Sequence, residues 1–123
     1  MRNPVDWFEI YVDDMNRAKA FYEQVFEVEL SKLGDSGVEM FAFPMAQGDE
    51  YGATGALVHM PGFGAGRNSV LVYFKCEDCS VQAARAVKAG GRVQKEKMSI
   101  GQYGYIALVI DTEGNMIGLH SMQ

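Results

Sequence analysis

A chain of 123 residues with 48% apolar and 22% charged side chains has the composition of a globular protein, sized for one compact domain or two half-domains sharing a core. Its formal net charge of −5, with no basic run to offset it, argues against a nucleic-acid backbone or an anionic membrane surface as partner. No apolar stretch approaches the ~20 residues that span a bilayer, and the polar start MRNPVD has no signal-peptide core, so a cytoplasmic protein is expected.

In chain order, Val5 to Val12 alternates as a strand does. Phe8, Ile10 and Val12 fall on one face, and Trp7, Glu9 and Tyr11 on the other. Asp13 or Asp14 offers a carboxylate to the start of a helix over Met15 to Phe26. Its apolar positions Met15, Ala18, Phe21, Tyr22, Val25 and Phe26 follow helical spacing. Glu27 to Leu33 reads as a second strand, turned at Gly34–Gly37. Val38 to Phe43 is a third, stopped by Pro44. A polar loop from Gln47 to Tyr51 precedes a fourth, Thr54 to Met60. The Gly-rich run Pro61 to Asn68 lacks the Lys-Ser/Thr of a phosphate-binding loop and leads into a strand, so it reads as a linker.

The second half repeats the first. Ser69 to Cys76 is a strand with Val70, Val72, Phe74 and Cys76 on one face and Leu71, Tyr73 and Lys75 on the other. Asp78 or Ser80 caps a helix that Gly90-Gly91 ends. Arg92 to Met98, Tyr103 to Ile110 and Met116 to Met122 follow as strands, with a turn at Asp111 to Asn115. The whole is an α+β chain of two βαβββ modules, residues 4–60 and 69–123, joined by the linker 61–68 in a single domain.

Val12-Asp13 followed by Arg17, Phe21 and Tyr22 resembles the opening pattern of the vicinal oxygen chelate superfamily of glyoxalase I, bleomycin-resistance proteins and extradiol dioxygenases. Gly55-Ala56-Leu57, Tyr73-Phe74, Gly90-Gly91 and Asp111-x-x-Gly114-Asn115 with Ile117 and Leu119 extend the likeness over nearly the full chain, with Thr112 where the family usually has Pro. The resemblance implies mixed sheets curved into concave cups, a small organic ligand and a homodimer. In metal-dependent members, four inner-face side chains hold a divalent ion. Those strand places fall here at or near Trp7, Ala56, Leu71 and Gly118, none of which offers a metal lone pair. No cofactor is therefore expected, and no metal at the usual places. A divalent ion would need a shifted site built on Glu9 and His120.

Alternation from those four places turns Glu9, Tyr11, Tyr73, Lys75 and His120 inward. Glu9 beside Trp7 suits a general base, or else a carboxylate tied structurally to Lys75 or a tyrosine. His120 suits a proton shuttle or a structural group. His59 should face away from the cup. Trp7, Phe41, Phe43, Tyr103 and Tyr105 suit the walls of a pocket for a planar or apolar ligand, or the core itself. Eight methionines fit an adaptable cavity or plain packing. Cys76-Glu77-Asp78-Cys79 has the strand-to-helix setting of a redox pair, but its acidic middle would raise a thiol pKa and Cys76 falls on the helix-packing face. Two functions compete: a lyase or isomerase of the glyoxalase-related kind, with Glu9 as base and Tyr11, Tyr73 or Lys75 as partners, and a non-catalytic protein that sequesters its ligand.

Overall fold

The computed structural model describes residues 3–34, 37–45, 52–66 and 68–123. Its elements run β1 (Val5–Tyr11), α1 (Met15–Phe26), β2 (Ser31–Lys32), β3 (Glu39–Ala42), β4 (Thr54–His59), β5 (Val70–Lys75), α2 (Cys79–Lys88), β6 (Arg92–Ser99), β7 (Tyr105–Ile110) and β8 (Met116–Ser121). This is the expected α+β order of βαβββ twice over. The polar loop at 47–51 and the tip of the 34–37 turn lie outside the described residues. No helix among the described residues is long and apolar enough to cross a membrane.

Packing divides the described chain into two units. One is Trp7–Val70; the other joins Leu71–Gln123 to residues 3–6. The described residues of the Gly-rich run, 61–66 and 68, pack with the first unit.

In the first unit the strands lie in the order β2-β3-β4-β1. β1 runs parallel to β4, and the other pairs are antiparallel. Asp14 is the helix cap: its side chain accepts the Arg17 N–H at 3.0 Å, satisfying one of the free donors of the first turn. Glu27 ends α1 in the left-handed region, at φ 53°. The Glu23 carboxylate then reaches past the helix end to take the Leu30 N–H at 2.8 Å and the Lys19 ammonium at 3.0 Å. The bond from Leu30, foremost among these contacts, holds the Glu23 carboxyl below the usual carboxylate range. These exit contacts use up residues 27–30. That is why the expected strand over Glu27 to Leu33 shrinks to Ser31–Lys32.

Val12, Met15, Leu30 and Leu57 form the buried core beneath α1, with Ile10, Ala18, Tyr22, Val28, Phe41 and Phe43 packed on it. The sequence drew a wider sticky face on α1 than the sheet covers. Phe21, Val25 and Phe26 remain 57%, 53% and 60% exposed.

The second unit repeats the plan in the order β5-β8-β7-β6, with β5 parallel to β8. Its core is Cys76, Cys79, Ala83, Ala107, Val109 and Leu119. Asp78 caps α2. Its Oδ1 takes the Ser80 hydroxyl at 2.7 Å, the Ser80 N–H at 3.0 Å and the Lys97 ammonium at 2.9 Å. These contacts, the Ser80 hydroxyl first, bring the Asp78 carboxyl down to about 2. Gly91 closes the helix by donating to the Ala86 carbonyl at 2.8 Å. Tyr103 falls in a 3-10 turn, Gly101–Tyr103, and β7 starts only at Tyr105. The reason is Gly104, which has φ +100° and lies so close to the Ser121 carbonyl that a Cβ would collide with it.

Candidate functional site

Glu9 sits in the middle of β1, opposite Ala56 of β4, and is 9% exposed. Strand alternation puts Trp7, Glu9 and Tyr11 on one face and Phe8 and Ile10 on the helix-packing face. A buried carboxylate is tolerated only when it is hydrogen-bonded. Here Trp7 Nε1–H donates to Oε2 at 3.1 Å and the Tyr11 hydroxyl donates to Oε1 at 2.9 Å. Both donors come from the same strand two residues away, so the alternation itself builds the constellation.

Burial, then the negative charge of Glu9 and the hydrogen bond to it, push the Tyr11 phenol well above the ordinary tyrosine range. The protonated phenol is thus the form the fold favours. Its contribution is fully present below the ordinary value of about 10 and is lost as pH rises through the folded value. Absorbance titration at the tyrosinate band, compared between wild type and Tyr11→Phe, is expected to show the missing ionisation above the ordinary range. A difference lying at or below that range would contradict the Glu9–Tyr11 bond.

The loop that follows β4 adds a residue that the sequence did not single out. Phe63 lays its ring against Tyr11, with centroids 5.9 Å apart and planes tilted by 39°. The only available signal was the Pro61-Gly62 turn before it, which reads equally well as linker.

Other expected site residues go elsewhere. Phe41 pairs in register with Leu57, and Leu57 with Ile10, so Phe41 belongs to the helix face. Phe43 packs there too, 5.7 Å from the Phe8 ring and 5.8 Å from Tyr22. Tyr105 packs on the α2-side core of the second unit, beneath the Lys97 ammonium at 4.7 Å. All three pack on helix-side cores: Phe41 opposite Leu57, Tyr105 in strand parity with Ala107 and Val109, and Phe43 through its ring contacts. Tyr103 is 47% exposed on its turn.

In the second unit, Lys75 is exposed and lies in register with His120. His120 Nε2 faces the Tyr103 carbonyl at 2.6 Å, and Nδ1 faces Asp6 Oδ2 at 3.8 Å. A carbonyl only accepts, so Nε2 carries the proton and the ring is tethered by it. That contact takes Nε2 away from a proton-shuttle role. His59 Nδ1 likewise meets the Val12 carbonyl at 3.0 Å, beside the α1-side core. Cys76 and Cys79 are free and buried. Burial above all, with Cys79 beside it, pushes the Cys76 thiol up, the opposite of what a reactive thiolate needs.

The four strand places that hold a metal in the family do not fit one here. Ala56 is fully buried and Leu71 is 1% exposed, and both are hydrocarbon. Trp7 presents an N–H, which has no lone pair, and spends it on Glu9. At Gly118 there is no room for a ligand side chain, because a Cβ would collide with the Tyr73 ring. Among the described residues, no three His, Cys, Asp or Glu side chains gather in a group able to hold an ion.

Residues 5–119 match the Glyoxalase/Bleomycin resistance protein/Dioxygenase superfamily. The chain belongs to this superfamily. Among its relatives, the anthracycline biosynthesis protein DauV of Streptomyces sp. strain C5 is 30% identical over 115 residues, covering 89% of this chain and 38% of DauV. Putative glyoxylase CFP32 of Mycobacterium bovis is 32% identical over 108 residues, covering 88% of this chain and 40% of CFP32. The chain thus spans about two fifths of the length of these relatives. Methylmalonyl-CoA epimerase from Mycobacterium tuberculosis shares the fold at a TM-score of 0.70 and 15% identity, over 98% of this chain and 88% of that one. The Streptomyces coelicolor epimerase in complex with 2-nitronate-propionyl-CoA does so at 0.71 and 17%, over 98% of both.

Proposed function

We propose that the chain binds a small organic molecule on the Trp7–Glu9–Tyr11 face of the first unit, and does so without the superfamily's metal. The observation that supports this most directly is Glu9: a buried acid that accepts from the Trp7 indole and from the Tyr11 hydroxyl. An ionised carboxylate only accepts hydrogen bonds, so a ligand group that meets it must be a donor. The aromatic surroundings favour an apolar or planar body around that donor. The hydrocarbon at the family's ligand places supports the metal-free part of the reading.

A second reading is an isomerase or lyase in which Glu9 removes a proton next to a carbonyl. It is supported by the same carboxylate and by the fold shared with methylmalonyl-CoA epimerases. Such an enzyme would have to stabilise the resulting enolate with hydrogen bonds, and once Glu9 has taken the proton the Tyr11 hydroxyl can turn its O–H from Glu9 to the enolate oxygen.

Association into a homodimer is supported by the three large apolar side chains that α1 leaves in water, Phe21, Val25 and Phe26. A cytoplasmic setting suits two free thiols.

The deciding experiment is thermal melting of protein purified without chelator, with divalent ions and then with small ligands, alongside elemental analysis. Metal-free protein with no shift on adding ions, but a shift with a donor-bearing ligand, is the expected outcome. A stoichiometric divalent ion would reverse the metal-free reading. Incubation of any bound carbonyl compound in heavy water then separates the two readings. Deuterium taken up next to the carbonyl in wild type and not in Glu9→Gln identifies an enzyme, and its absence a sequestering protein.

A further inference from the structure

We propose that the second unit carries a binding site of its own, for a small zwitterion of the amino-acid kind, in which Arg92 takes the ligand's carboxylate and Asp111 its ammonium. It is independent of Glu9, which belongs to the first unit. The exit of α2 and the turn between β7 and β8 enclose a cleft of about 300 Å³, lined by Gly90, Gly91 and Arg92 on one side and by Ile110, Asp111 and Thr112 on the other. That volume lies at the lower end for ligand sites, so the occupant must be small. Glycines shape the cleft. A Cβ on Gly91 would collide with the Ile110 carbonyl oxygen, and one on Gly90, at φ +104°, would stand 3.3 Å from Thr112 Cγ2. The two sides therefore approach closely at the glycines, and Arg92 is the first residue after them to carry a side chain.

The Asp111 side is held by its own hydrogen bonds. The Asp111 N–H donates to the Asn115 carbonyl at 2.8 Å, and the Gly114 N–H to the Asp111 carbonyl at 3.2 Å. Asp111 Oδ1 takes the Glu113 N–H at 2.8 Å and the Asn115 N–H at 2.9 Å, while Oδ2 has a longer bond, 3.3 Å, from the Asn115 side-chain amide. These bonds, the Asn115 N–H first, hold the Asp111 carboxyl below the usual carboxylate range, so it is negative at neutral pH. Oδ2, with the long bond, is the oxygen better able to take an ammonium.

Arg92 supplies the opposite charge. It opens β6 in register with Ile110, the last residue of β7, so Asp111 lies one position beyond its partner on the neighbouring strand. The guanidinium is exposed and makes no ion pair or hydrogen bond among the described residues, with Asp111 or with any other acid. Its planar fork matches a carboxylate through two parallel bonds. A cation and an anion that line one cleft without pairing suit a ligand that carries the complementary charges and bridges them. An anion alone would be drawn to Arg92 and repelled by Asp111, and a cation alone the reverse. A zwitterion satisfies both.

The test titrates three zwitterions of increasing charge separation, glycine, β-alanine and 4-aminobutyrate, and two half-probes, propionate and propylamine. The backbone amide NMR resonances of Gly90, Gly91 and Gly114, all at the cleft, report binding. At least one zwitterion is expected to shift them with a Kd in the millimolar range, about tenfold or more tighter than either half-probe. Arg92→Gln should then bring that zwitterion down to the affinity of propylamine for wild type. Asp111→Asn should bring it down to that of propionate, since Asn keeps an acceptor for the Glu113 and Asn115 N–H groups. No shift with any zwitterion up to about 50 mM, propionate binding as tightly as the best zwitterion, or affinity unchanged by Arg92→Gln would overturn the proposal. Should thermal melting show that Asp111→Asn loosens the turn, Arg92→Gln and the half-probes still decide, because the Arg92 side chain bonds nothing among the described residues.

Discussion

Glu9→Gln is expected to weaken a donor-bearing ligand about tenfold or more, and to destabilise the fold by about 1–3 kcal/mol. An amide offers the two donors in place less than a carboxylate does. Trp7 Nε1–H can only donate, so the Gln oxygen must face it. The amide NH2 then faces Tyr11, whose hydroxyl oxygen can accept but whose proton must turn elsewhere. One hydrogen bond is kept, one is reversed, and the negative charge that strengthened both is gone. Glu9→Leu removes both acceptors and is expected to cost more, because two donors are left facing hydrocarbon. A double-mutant cycle with Tyr11→Phe isolates the pair: the cost of Tyr11→Phe in wild type should shrink markedly in the Glu9→Gln background. Additive costs in denaturant unfolding would show that the two side chains are not coupled. In a base mechanism the same substitution should lower turnover about 10²- to 10⁴-fold, well beyond the loss in binding, as loss of a general base does.

The βαβββ repeat was legible because each element carries a periodic signal: alternation in Val5–Tyr11, helical spacing after Asp14, and a second copy of both after residue 69. Glu9, Trp7 and Tyr11 were legible for the same reason, since a two-residue period puts them on one face whatever the rest of the chain does. Between pocket wall and core, the two readings open for Phe41, Phe43 and Tyr105, aromatic character does not choose, because it says nothing of which face a strand turns to the helix. Only the register with Leu57, or the parity with Ala107, decides that. The β2 strand was overdrawn because its shortening depends on a side chain seven residues back, Glu23, reaching the Leu30 N–H. Phe63 and the Asp6–His120 approach involve partners 52 and 114 positions apart in sequence (63 against 11, and 120 against 6). No local pattern encodes contacts that distant.

The largest effect on folding is expected from a change of one methyl group, Gly55→Ala, with a loss of about 3 kcal/mol or more by chemical unfolding. Gly55 lies opposite Phe8 in the parallel β1–β4 pair. A Cβ there would collide with the Phe8 backbone carbonyl oxygen and stand 2.8 Å from the Phe8 ring carbon Cγ. A ladder carbonyl cannot move aside without parting the strands, so the cost falls on the hydrogen bonds that set the register. Glu9 and Ala56 are the next pair along, and ligand binding should be lost with stability. Gly118→Ala provides the contrast. There the obstacle is the ring of Tyr73, a side chain that can tilt at the expense of its own packing, so a smaller loss of about 1–3 kcal/mol is expected. The comparison bears on the metal as well. A carboxylate at 118 would be needed to rebuild that family ligand, and the Tyr73 ring stands where its first carbon would go. Gly118→Glu is accordingly expected to destabilise the fold more than Gly118→Ala and to gain no melting shift with divalent ions. A Gly55→Ala protein as stable as wild type would mean that β1 and β4 do not pair in this register, and the placement of Glu9 opposite Ala56 would go with it.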